Sequence, residues 1–219
     1  MKLFEFDTET TGLDAKKHGI VQLAAIIKID GEMVVQFELF ARPDGLEIDD
    51  KALEVIGKTR KELNEYPPRP AFLQTLKDIL GDYVDQYDKS DKFIPCAYNG
   101  WFDYQMLGEE FRRQDDKYFG SWFNHELNDP LLMINWIRRM GGFRDLESRK
   151  LVDVAAWLGI EVENAHNAMG DVIMMDQVID AIDKMIATPS QHETRRRVMK
   201  PDEEVPADDP LSKLLRGEE

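Results

Sequence analysis

Read from its start, the chain moves between two rhythms, strand-like runs first and helical spacing later. Lys2 to Asp7 is a short strand candidate, apolar at Leu3, Phe4 and Phe6. Ile20 to Ile29 is a β-branched run that reads as a strand. Asp30-Gly31 is a hairpin signal, and Met33 to Ala41 returns as a further strand. The opening therefore predicts three strands in succession, the last two antiparallel. Arg42-Pro43-Asp44-Gly45 breaks this pattern, and helical spacing takes over.

Short helices are expected from Asp50 to Glu54 and from Thr59 to Leu63. A longer one is expected from Ala71 to Tyr87, with Phe72, Leu73, Leu76, Ile79, Leu80 and Val84 on one side. Phe93 to Tyr98 is short and apolar enough for a buried strand, although Pro95 counts against it. Helices follow over Asp103 to Gln114, Pro130 to Met140, Leu146 to Leu158 and Ala168 to Ile186. The methionine-rich stripe of the last helix reads as core packing. From Thr188 onward charge and proline replace apolar residues, so residues 188–219 read as a tail, with a short helix conceivable at Leu211 to Leu215. Residues 1–187 read as one domain.

Composition narrows the classes. A hydrophobic content of 42% supports a real core. The net charge is −15, which argues against nucleic-acid binding by bulk neutralisation. A nuclease stays open, because bound cations and a local basic strip can serve phosphates on an acidic surface. The single cysteine, Cys96, excludes an intramolecular disulfide and reads as a small core residue. With no signal-like start and no membrane-length apolar run, the chain is expected to be cytoplasmic and away from membranes.

The candidate chemistry begins with Asp7 and Glu9 in Phe6-Asp7-Thr8-Glu9-Thr10-Thr11-Gly12-Leu13. Alternation puts both carboxylates on one face of the strand. Two like charges about 4 Å apart repel by roughly 4 kcal/mol at an effective dielectric of ~20. A hard divalent cation would turn that repulsion into binding. Two later stretches carry matching residues: Asn99-Gly100-Trp101-Phe102-Asp103, and His166-Asn167-Ala168-Met169-Gly170-Asp171. Taken alone, Asp103 is a helix cap, His166 a polar loop residue and Asp171 a surface acid.

In order, these stretches read Asp-x-Glu, Asn-x-x-Phe-Asp and His-x-Ala-x-x-Asp. That series resembles the DEDDh family of 3′-to-5′ exonucleases over about residues 1–186. The resemblance implies an α/β, ribonuclease-H-like fold: a mixed sheet of about five strands with helices on both faces. It also implies hydrolysis with two divalent cations, Mg²⁺ or Mn²⁺, releasing nucleoside 5′-monophosphates. Asp7, Glu9 and Asp171 would hold one ion, Asp7 would bridge to the second, and Asp103 would support the second through water. His166 would be the general base. Thr10, Gly12, Leu13, Asn99, Trp101 and Phe102 would contact the substrate. Ile56-Gly57 stands where many members have His-Gly, and Trp101 where many have a small residue. Trp101 could stack on a base or pack against the next helix. The implied partner is nucleic acid with a free 3′ end, single-stranded DNA favoured, and conceivably a polymerase or other replication protein. The alternatives are an exoribonuclease of the same family and a non-catalytic acidic binding protein on the same fold. Gln36-Phe37-Glu38-Leu39-Phe40 resembles a clamp-binding peptide but reads as part of a central strand.

Overall fold

The computed structural model describes residues 1–161 and 167–187. The chain divides into units Met1–Asp183 and Lys184–Glu219, and the first holds the site. The predicted tail lies outside the described residues, as does His166.

Three strands open the chain: β1 (Lys2–Thr10), β2 (Ile20–Ile29) and β3 (Glu32–Phe40). Asp30 and Gly31 turn the hairpin, both at positive φ, as the sequence signal requires. β4 (Ile94–Cys96) completes a sheet of order β3-β2-β1-β4, with β1 antiparallel to β2 and parallel to β4. Among the described residues the sheet thus has four strands rather than about five. Where a fifth would lie, the backbone makes only bridges, Phe93 to Phe123 and Cys96 to Asn128. Pro95 survives between two neighbours because its carbonyl still accepts from Asn128 N–H, at 2.9 Å. β3 is a strand as expected, but at the sheet edge rather than in the centre.

The helices are α1 (Asp50–Ile56), α2 (Arg60–Asn64), α3 (Arg69–Gly81), α4 (Trp101–Arg113), α5 (Phe119–Trp122), α6 (Pro130–Arg139), α7 (Leu151–Trp157) and α8 (Ala168–Ala187). Thr59 and Glu62 form a reciprocal capping box that starts α2. Two expected helices are shorter in the structure. α3 stops at Gly81 rather than Tyr87, although Val84 beyond it is still buried. α7 begins at Leu151, not Leu146; Leu146 is buried from a loop, so its apolar character serves packing without a helix.

Each sheet face has its own cover. Phe4 and Phe6 of β1 and Leu23, Ala25 and Ile27 of β2 pack with Phe72, Leu76, Met106 and Phe111 of α3 and α4. On the other face Ala24 and Ile26 meet Ala168 and Val172 of α8. Cys96 is buried, and burial pushes its thiol well above the ordinary range. Among the described residues no helix is long and apolar enough to cross a membrane.

Candidate active site

β1 aligns Glu5 with Ile26, Asp7 with Ala24 and Glu9 with Gln22, so three acids share the α8 face of the sheet. The register slips immediately after Glu9, which breaks the ladder at the mouth of the site. Asp103 arrives from the first turn of α4. Gly100 at the start of that helix has no room for a side chain, since a Cβ would lie 2.4 Å from that of Ala97. Asn99 turns the chain there at φ 54°, and its N–H donates to Asp129 Oδ1 at 2.9 Å. The Asp129 carboxylate also caps α6 through Leu131 N–H. Asp171 sits in the first turn of α8, where Asn167 Oδ1 accepts from Met169 N–H at 3.0 Å.

The electrostatics show that the four acids are neighbours. Burial, then the carboxylates of Asp103, Glu9 and Asp171, hold the Asp7 carboxyl well above its usual range. Asp103 is raised to about 6, chiefly by burial. Hydrogen bonds oppose that rise: Asp103 Oδ1 accepts from Thr8 N–H at 3.1 Å and from Thr8 Oγ1 at 2.5 Å. Among the described residues no three His, Cys, Asp or Glu side chains are gathered into a finished ligand group. The donor chemistry nevertheless suits a hard divalent cation: among the described residues the charged groups acting on Asp7 are carboxylates, which repel there.

Beside the acids lies a cavity of about 320 Å³. Thr8, Glu9, Thr10, Gly12, Leu13 and Phe102 form one side of it, and Lys51, Val55 and Ile56 of α1 the other. Thr10 Oγ1 donates to the Gly12 carbonyl at 3.0 Å and braces the turn. Leu13 at the rim is 84% exposed. Ile56, standing where the family often has histidine, supplies an apolar wall and no proton donor. Gly57 behind it ends α1 at φ 64°. Trp101 is 62% exposed and stacks on Tyr104 of its own helix, centroids 6.2 Å apart. Asn99 falls in a separate depression with Tyr98 and Arg149.

Sequence reasoning missed the layer beneath the acids. Glu5 is fully buried, and neither of its oxygens receives a hydrogen bond. Burial first, then the Asp176 carboxylate, raise it to about 8, where its proton can bond Asp176. Lys28 from β2 pairs with Asp176 of α8. Alternation already placed Glu5 on the Asp7 face; the missing information was that α8 would cover it with another acid.

These features place the chain with the nucleases. The model of the RNase T exonuclease family matches residues 5–178, and the chain belongs to that family. It is 28% identical over 166 residues to the PolC-type DNA polymerase III of Clostridium perfringens, covering 76% of this chain and 10% of the polymerase. The PolC-type enzyme of Streptococcus pyogenes serotype M2 is 31% identical over 110 residues, covering 50% of this chain and 7% of that one. The chain therefore spans about a tenth of these polymerases' length. Among solved structures, exonuclease I of E. coli in its zinc-bound complex with single-stranded DNA aligns with a TM-score of 0.71 at 21% identity. That alignment covers 84% of this chain and 40% of the other, and the shared fold is ribonuclease-H-like.

Proposed function

We propose that this exonuclease is a metal-dependent 3′-to-5′ enzyme acting on DNA, single strands preferred, that releases nucleoside 5′-monophosphates. One observation carries the reading: Asp7 lies among Glu9, Asp103 and Asp171, the acids that the three motifs nominate. The kinship with PolC-type polymerases and the likeness to a DNA-bound exonuclease I favour DNA over RNA. Residues 1–187 would be the catalytic domain and 188–219 an appendage able to meet a polymerase or other replication protein.

Asp7, Glu9, Asp103 and Asp171 would hold two Mg²⁺ or Mn²⁺ ions, which supply charge for the phosphate and acidify the attacking water. The protein's share is position and proton transfer. Thr8 clamps Oδ1 of Asp103 through both its N–H and its Oγ1. His166 stands one residue before Asn167 and would take the water's proton, a task that imidazole suits near neutral pH. The cavity beside Glu9 would seat the terminal nucleoside, with Leu13 and Phe102 against its base and Thr10 and Gly12 at its sugar. Its apolar lining grips a base without selecting which one.

The test uses 5′-labelled single-stranded, paired and 3′-mismatched DNA, and RNA, with Mg²⁺ or Mn²⁺. A ladder shortening from the 3′ end and abolished by EDTA is expected. No digestion of any substrate with either metal refutes the enzyme, and faster digestion of RNA overturns the substrate choice.

A further inference from the structure

Positive charge is unevenly committed in this chain. Arg42, Arg60, Arg69, Arg112 and Arg113 all meet carboxylates. Among the described residues, Arg138, Arg139, Arg144, Arg149 and Lys150 meet none. The contacts they do make are to neutral groups: Arg144 Nε donates to Gly141 O at 2.9 Å, Arg149 Nη1 to Asn135 Oδ1 at 2.7 Å, and Arg139 lies 5.4 Å from the Trp136 ring centre. Residues 138–150 hold five basic and two acidic side chains in a chain of net charge −15. Arg138 and Arg139 also suit the C-terminal end of α6. Arg149 and Lys150 precede α7, where a helix disfavours cations, so the dipole does not account for them.

This charge adjoins the acids. Tyr98 Oη donates to the Arg149 carbonyl at 2.5 Å. Tyr98, Asn99, Arg149 and Lys150 line one open depression of about 480 Å³. Asn99 leads within two residues to Trp101, 62% exposed, and then to Asp103. On the far side Arg149 holds Asn135, whose chain neighbour Trp136 is 59% exposed. Unpaired cations alternate with exposed indoles along a path that starts at the site, and a flexible polyanion with stacking bases matches that alternation.

Resting on the exonuclease reading, we propose that this strip is the bed for the single strand upstream of the 3′ end. Arg149 and Lys150 take its phosphates, and Trp101 and Trp136 stack its bases. Leu132, Met133 and Met140 are also exposed near Trp136 and would suit a protein. The unpaired cations and the continuity with the site favour nucleic acid.

The test is fluorescence anisotropy with the full chain in EDTA, using labelled oligothymidylates of about 15 and about 3 nucleotides. The double variant R149A/K150A should bind the longer strand about tenfold more weakly and lower the slope of log K against log salt by about 1.4, two phosphates at ~0.7 each. The trimer should bind as it does to the parent, and R149K should retain the longer strand. W136A should weaken the longer strand about tenfold without changing the salt slope. Circular dichroism melts identify any variant that has lost its fold, and R149K then serves in its place against R149Q. Unchanged affinity and slope in R149A/K150A overturn the proposal and leave the α6 face to a protein partner. Equal loss for both lengths overturns it too, since the effect would then lie at the terminal nucleotide. Strip-dependent binding by a chain that digests no substrate when Mg²⁺ or Mn²⁺ is supplied would sink the exonuclease reading while leaving the strip intact.

Discussion

Replacing Glu5 by glutamine should stabilise the protein at high pH and leave it unchanged at low pH. Glu5 is fully buried, faces Asp176, and is raised from 4.5 to about 8. A carboxyl with a folded pKa above its unfolded one binds its proton more tightly in the native state. Between pH 4.5 and about 8, unfolding therefore releases a proton, and stability falls as pH rises. Each pH unit costs about 1.4 kcal/mol, so the interval costs about 5 kcal/mol at most, with the opposing pull of Lys28 already contained in the value of about 8. Glutamine has the shape of the protonated acid and never ionises. Urea denaturation of Glu5→Gln and parent, both in EDTA, should agree near about pH 4 and diverge by about 2–5 kcal/mol near about pH 9. Asp7 and Asp103 titrate in both proteins and cancel in the difference. A difference that stays constant from low to high pH would refute the reasoning, because Glu5 would then titrate alike in the folded and unfolded chain.

Asp171→Ala should lower exonuclease activity by at least about 100-fold with an unchanged circular dichroism spectrum, since loss of a metal ligand should exceed loss of an outer-sphere group. Activity within a factor of two of the parent would remove Asp171 from the site. Asp7→Asn should be inactive yet melt higher than the parent in EDTA, because it relieves repulsion from three neighbouring acids; a lower melting temperature would contradict that repulsion. Arg69 and Glu110 form a buried pair, with Arg69 also donating to the Ile20 carbonyl. Glu110→Leu should cost about 3–5 kcal/mol in urea denaturation by stranding the guanidinium, and adding Arg69→Met should recover much of it. Gly12→Ala would put a Cβ 2.5 Å from the His18 ring, so it should cost about 1–3 kcal/mol and slow digestion by moving Leu13.

Much of the local structure was legible in the sequence because it depends on neighbours along the chain. Alternation put Asp7 and Glu9 on one face, and Asp30-Gly31 made the hairpin. The three motifs nominated the acids that the fold brings around Asp7. His166 and the tail lie outside the described residues. Apolar periodicity misled at Leu146 and beyond Gly81, where side chains are buried from irregular backbone. What only the tertiary structure decided is which distant elements meet. β4 joins β1 in parallel, β3 is left at the edge, and α8 lays Asp176 over Glu5 and Lys28. A period tells which face a residue takes but carries no address for the element opposite, because any apolar partner satisfies the same pattern. The identity of that partner turns a buried glutamate into a proton-holding group and brings Glu9, Asp103 and Asp171 around Asp7.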